Sequence, residues 1–170
     1  MDITLEDMLA ARDARAARQK NLLTRFRGAC LVTFTVVVPG AVKRTPESER
    51  LFRAGLQALG DFIRRYELVP LRFETNCPET GYEAYLVLRT EPSFLKIELC
   101  KLETSAPYGR LWDMDVLAPF GKPVSREDVG LPPRGCVVCG KPGHACASRR
   151  LHPMDEVLAA CQTLLSSLPE

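Results

Sequence analysis

The chain has little of what several function classes require. Its formal net charge is only +2 over 170 residues, from 23 Lys+Arg against 21 Asp+Glu. That leaves no electrostatic footprint for a dedicated nucleic-acid binder. Histidine occurs twice and tryptophan once, so no site here draws on many imidazoles. Long apolar runs are missing: "CLVTFTVVVP" at 30–39 is too short to cross a bilayer. The acidic opening "MDITLEDML" lacks the basic and apolar regions of a secretion signal. There is no Gly-rich phosphate loop, internal repeat or low-complexity segment. Together these absences predict a cytoplasmic protein with neither membrane nor nucleic acid as partner.

Cysteine, by contrast, is plentiful. An odd count of seven, without a secretion signal, predicts thiols that are reduced or bound to metal. Most of the cations are arginine, whose planar fork suits phosphate and carboxylate, a hint of an anionic ligand. A hydrophobic content of 46 % is enough for one packed domain over 1–170. Within it a Cys-rich loop is expected at 134–152 and a C-terminal helix at about 153–168.

Periodicity supplies the elements. Thr4–Asp7 reads as a capping box opening a helix to about Phe26. Leu5, Met8 and Leu9 would set its buried stripe, and the same spacing brings Arg12, Arg15 and Gln19 onto it. An arginine there is either salt-bridged at the stripe's edge or free for an anion. The β-branched run at 30–39 predicts a central strand covered on both faces. Thr45-Pro46-Glu47 starts a second helix, with Phe52, Gly55, Leu56, Leu59, Ile63 and Tyr66 on its apolar face. Strands at 71–77 and 82–89 fit a hairpin, and 92–103 reads as a helix. The sum is an α/β (α+β) domain with a mixed sheet of about five strands and packed helices. A nucleotidyltransferase-like arrangement rests on analogy alone.

In "GRLWDMDVL" side chains alternate between faces, so Trp112, Met114 and Val116 share one side while Asp113 and Asp115 share the other. Two carboxylates so close disfavour ionising together, and a divalent cation removes that conflict. Oxygen ligands suit Mg2+. The plain alternative is a half-exposed strand carrying two solvated aspartates. Gly109 would let a phosphate approach the backbone before Arg110. Lys43, Arg126 and Arg134 lie in loop segments carrying glycine and proline, available to a polyphosphate or simply solvated.

"CVVCGKPGHACASRRLH" at 136–152 begins like a zinc knuckle, Cys136-x2-Cys139-x4-His144. The fourth ligand position, however, is Arg149, and Val137 and Val138 cannot stack bases. The knuckle reading fails. Cys30, Cys77, Cys100 and Cys161 lie in apolar segments and read as core residues.

Taken together, "RDARAARQ", "TFTVVVPGAVK", "PYGRLWDMDVLAP" and "SREDVGLPPRGCVVC", with the later Cys146 and His152, resemble one family. It is the apo-citrate lyase phosphoribosyl-dephospho-CoA transferases, and the resemblance runs collinearly from about residue 6 to 155. It implies a nucleotidyltransferase-type enzyme whose donor is 2′-(5″-triphosphoribosyl)-3′-dephospho-CoA. The acceptor would be a serine of the citrate lyase acyl-carrier subunit, and pyrophosphate would be released. On that reading Asp113 and Asp115 hold Mg2+, and Lys43, Arg110, Arg126 and Arg134, with Arg12 and Arg15 on the first helix, are candidates to meet the phosphates. One aspartate, or Glu103 if it lies nearby, takes the serine proton. The family-like spacing also groups Cys136, Cys139, Cys146 and His152 as a closed structural Zn2+ site, with thiols packed under a loop or a redox-reactive cluster as alternatives. One departure stands out: Ala106 replaces a histidine of the family pattern. The contrasting readings are a zinc-stabilised nucleic-acid-binding module and a binding or assembly module without catalysis.

Overall fold

The computed structural model describes residues 2–169. Helix α1 (Leu5–Arg25) leads into strand β1 (Cys30–Val36), then α2 (Pro46–Arg65), the hairpin β2 (Arg72–Asn76) and β3 (Glu83–Leu88), and α3 (Pro92–Leu102). β4 (Trp112–Leu117), the two-residue β5 (Pro123–Val124), the short α4 (Gly143–Arg149) and α5 (Met154–Leu165) complete the chain. Threonine caps start the first two helices: Thr4 and Thr45 each accept from the backbone N–H three residues on, while that residue's side chain answers the cap N–H.

The five strands form one sheet in the order β2-β3-β1-β4-β5. The strand number and packed helices match expectation, but every pairing is antiparallel rather than mixed. The connectivity explains this. The α2 crossover sets β2 in the direction of β1, and the hairpin then inserts β3 between them. The α3 crossover sets β4 in the direction of β3 with β1 between those two. Each pair of like-directed strands is therefore separated by an opposed one, the split β-α-β arrangement used twice. β1 lies at the centre, as its apolar sequence predicts.

One face of the sheet (Cys30, Val32 and Phe34 on β1, with Trp112, Met114 and Val116 on β4) packs under α2, α3 and the C-terminal segment. Trp112 donates its indole N–H to the Leu51 carbonyl at 3.0 Å, so its one polar atom is satisfied inside the core. The other face carries a smaller apolar cluster of Leu22, Ala29, Leu31, Tyr85 and Val87 beneath the C-terminal half of α1. This corrects the expected stripe: Leu5 and Leu9 are 77 % and 52 % exposed, and Leu22 is the buried leucine. Towards the helix N-terminus the underlying sheet turns polar, so α1 attaches there through Arg15 and Gln19 instead. Cys30, Cys100 and Cys161 are buried as expected, whereas Cys77 is exposed because it follows the outer strand β2.

Beyond the short β5, the outer edge of β4 has no strand partner among the described residues, and charged side chains take its place. Met114 N–H donates to Glu103 Oε1 at 2.9 Å, and Lys96 Nζ donates to the Met114 carbonyl at 3.3 Å. Arg134 donates to the Trp112 carbonyl. Glu103, 3 % exposed, also pairs with Arg126 and lies 3.8 Å from Arg134. Gly109, expected to admit a phosphate, is instead buried against the end of α3: a Cβ there would lie 3.0 Å from the Glu103 carbonyl oxygen.

The packing makes two predictions about stability. Gly55 faces Phe34, and an added Cβ would lie 2.2 Å from the ring. Gly55→Ala improves helix propensity by about 1 kcal/mol, yet overpacking of about 1–3 kcal/mol wins, so the urea midpoint falls. Phe34→Leu in the same chain should recover part of the loss. An undiminished midpoint for Gly55→Ala alone would contradict this packing. Glu103→Gln keeps an acceptor for Met114 but removes the charge shared by two guanidinium groups. It should cost about 3 kcal/mol, read by the same denaturation, and a wild-type midpoint would show that Glu103 is not a structural anchor.

Candidate functional site

Register builds the polar patch. β1 pairs Thr35 with Glu83 on one side and with Asp113 on the other, and Thr33 likewise with Tyr85 and Asp115. These side chains all point to the α1 face, because alternate residues of a strand share a face. Asp113 and Asp115 therefore sit together, as their spacing predicts. Asp113 accepts from Arg134 at 3.3 Å. Asp115 makes its ion pair with Lys96, at 3.9 Å, and 64 % of its side chain is open. Its carboxyl is nonetheless pushed above the usual range, first by the protein packed around it and then by Asp113, with Lys96 pulling the other way. Water at the open tip keeps that effect modest.

A cavity of about 240 Å³ opens beside this row, lined by Arg15, Thr35, Lys43, Glu83 and Asp113 among others. Arg15 reaches it from α1 and pairs with Glu83 at 2.9 Å. Glu83 further accepts from Asn76 at 3.3 Å and from the Tyr85 hydroxyl at 2.5 Å. Lys43 donates to the Val38 carbonyl at 2.7 Å, and burial lowers its pKa. Of the expected residues, Arg15, Lys43 and Asp113 thus line one cavity, Arg134 and Asp115 flank it through Asp113, and Arg12 is solvent-exposed. Arg126 and Glu103 are paired with each other at the β4 edge. Arg110 lies behind, donating to the Gly135 carbonyl at 2.7 Å. Glu83, Thr35 and Lys96 do not stand out in the sequence. The available signals are a lone carboxylate opening an apolar strand and a lysine set between the helix-face residues Leu95 and Leu99.

A second centre lies in the Cys-rich loop. Gly135 and Pro142 form an isolated bridge, and Cys136 N–H donates to the Lys141 carbonyl at 2.6 Å. Gly140, at φ 74°, turns the chain back in the left-handed region. This tight turn is followed by α4, a short helix inside the segment expected to be a loop. The two bring one atom each of Cys136, Cys139, Cys146 and His152 within 4.8 Å of one another. That donor set can hold a metal ion. His152 Nε2 is buried with no hydrogen-bond partner, and an imidazole nitrogen rarely stays so without a ligand. Burial raises the Cys136 thiol, but donation from the Cys139 and Val138 N–H groups and from the neighbouring thiols outweighs it and brings the pKa to about 7. Burial, then Cys139 and Cys136, pushes Cys146 up to about 11. Cysteines that cannot all ionise together are relieved by a cation. His144 is exposed and outside the cluster, so the knuckle pattern has no counterpart.

Residues 3–168 match the family model described as "Apo-citrate lyase phosphoribosyl-dephospho-CoA transferase". The chain is 38 % identical to a protein of Streptococcus pyogenes serotype M18 named "Probable apo-citrate lyase phosphoribosyl-dephospho-CoA transferase", over 97 % of this chain and 86 % of that one. It is 34 % identical to the "Apo-citrate lyase phosphoribosyl-dephospho-CoA transferase" of Escherichia coli O139:H28, over 98 % of this chain and 90 % of the other. "Protein CitXG" of Haemophilus influenzae is 36 % identical over 95 % of this chain, which spans only 35 % of that longer protein. Matched along almost its whole length by the model and by two relatives of similar size, the chain belongs to the family of apo-citrate lyase phosphoribosyl-dephospho-CoA transferases.

Proposed function

We propose that this chain transfers the 2′-(5″-phosphoribosyl)-3′-dephospho-CoA group from its triphosphate precursor to a serine hydroxyl of the citrate lyase acyl-carrier subunit. The observation that carries this reading is the pairing of Asp113 and Asp115 on one sheet face, with Arg134 on Asp113 and with Arg15 and Lys43 lining the cavity that Asp113 also lines. The serine oxygen forms a bond to the phosphorus nearest the ribose, the bond from that phosphorus to the bridging oxygen breaks, and pyrophosphate leaves. Asp115, the more open of the two carboxylates, takes the serine proton through the oxygen that a cation would leave free. Arg134, anchored by the Trp112 carbonyl and Asp113, presents its guanidinium where negative charge gathers. Lys43 and Arg15 hold the triphosphate in the cavity. Glu103, with its oxygens occupied by Met114, Arg126 and Arg134, positions those arginines and takes no proton.

The donor chemistry fits a cation at the aspartate pair, since two close carboxylates with one raised pKa are what a hard ion relieves. Asp113 and Asp115 would hold Mg2+, which supplies charge neutralisation for the phosphates. In the Cys-rich loop the three thiols and one imidazole suit structural Zn2+, since four protein donors would fill its tetrahedral coordination. Thiols kept reduced for that ion suit a cytoplasmic setting. No helix among the described residues is long and apolar enough to cross a membrane.

The transfer is tested by mixing the protein with Mg2+, the triphosphate donor and apo carrier subunit, then weighing the carrier by intact mass spectrometry. Asp115→Asn and Asp113→Asn should each slow labelling by about 10²-fold or more without lowering the melting temperature. Full labelling by both variants would remove the aspartates from the mechanism. For the second centre, elemental analysis of the purified protein should give equimolar zinc. Cys146→Ser should lose the metal and melt earlier. Metal-free wild type, with Cys146→Ser melting unchanged, would leave the cluster as packed thiols.

A further inference from the structure

A larger cavity, of about 770 Å³, lies between the Cys-rich loop and α5. Its wall is apolar: Val137 from the loop, Ala147 from α4, and Met154 and Val157 from α5. Arg110 and Arg134 enter it as cations. Interiors are close-packed and leave few voids larger than a water molecule, whereas ligand sites occupy about 300–1,000 Å³ with apolar walls and a few placed polar groups. Arg110 adds a second observation. Its Nε is buried without a partner while its terminal nitrogen is held by the Gly135 carbonyl, so one donor of a fixed guanidinium is left unanswered.

The two cavities adjoin. Val37 lines both of them. Arg134 lines the larger one and holds Asp113, which lines the smaller. A ligand with a compact polyanionic branch and a long, mostly apolar branch bearing its own phosphates would span this divide. The polyanion would sit by Lys43 and Arg15 and the long branch between loop and α5, with the reacting phosphorus at the Asp113–Arg134 boundary. Resting on the donor assigned above, we infer that the larger cavity is the subsite for the dephospho-CoA portion of the donor, a nucleoside diphosphate joined to an amide-linked aliphatic arm. Arg110 answers its phosphates, and the wall of Val137, Ala147, Met154 and Val157 covers its arm. The cysteine cluster thereby gains a part in substrate binding, because Cys136 and Cys146 lie on the same wall and fix its shape.

Calorimetry with dephospho-CoA itself tests this, alongside inhibition of transfer by inorganic tripolyphosphate. Ala147→Trp and Met154→Trp each place a large ring in the cavity from different helices, and both positions are exposed enough to spare the core. Wild type should bind dephospho-CoA, and each variant should bind it at least about tenfold more weakly, a change of about 1.4 kcal/mol. Tripolyphosphate inhibition should stay within about twofold in both, since that branch belongs to the other cavity. Metal content and melting temperature equal to wild type qualify a variant for comparison. Equal dephospho-CoA affinity in wild type and both qualified variants overturns the subsite while leaving the transfer reaction standing. The subsite is equally overturned if wild type transfers the group but shows no affinity for dephospho-CoA. If wild type neither binds dephospho-CoA nor labels the carrier, the proposed function falls with it.

Discussion

Glu103 is the charge on which the site's order depends. It closes α3, is almost fully buried, and receives the Met114 N–H together with Arg126 and Arg134. A carboxylate can be held at such depth only if its oxygens are answered by donors of opposite charge. In answering it, Arg126 and Arg134 pin both ends of the stretch 126–134 to the open edge of β4. Arg134 is thereby delivered to Asp113, and the segment after it is delivered to the cysteine cluster. Remove that anion and two arginines lose their reason to point inward.

The second anchor is the cysteine cluster, and the two act on one stretch of chain from opposite ends. Residues 134–152 carry few large apolar side chains, so burial alone cannot fix them. Arg134 ties down the start through ion pairs, and further on three thiols and one imidazole converge within reach of a single metal ion. The cavity wall between these anchors is built from backbone turns and small residues that would otherwise sample many shapes. A cavity wall is thus obtained from a segment with little core of its own.

Much of this is legible in the sequence because it rests on local periodicity. The alternation in "WDMDVL" places both aspartates on one face, and the threonine caps locate two helix starts. The central position of β1 follows from its apolar run. What cannot be read comes from long-range pairing. The sheet is wholly antiparallel because two crossovers each skip a strand, a fact of topology and not of any one segment. Leu5 and Leu9 have the right spacing for a buried stripe, but the sheet beneath that end of α1 is polar, so the helix presents Arg15 instead. Glu83 is silent in the sequence because its partners Arg15, Asn76 and Tyr85 come from three elements. Glu103 suggests a proton acceptor there because its sequence context shows proximity to the chemistry but not depth.

The treatment of the sheet's margins bears on how the protein behaves in a crowded solution. An open strand edge is a template for another chain, and this sheet has two. At one side, β5 is two residues long and begins with proline, so it offers almost no ladder to extend. Where β5 stops, Lys96, Glu103 and Arg134 already occupy the backbone groups of β4 that a foreign strand would seek. On the far side, β2 carries Arg72 and Glu74 in a salt-bridged pair, which an incoming strand would have to desolvate. The same buried charges that order the candidate site therefore also discourage self-association, so that loss of Glu103 would expose the chain to aggregation as well as to loss of that order.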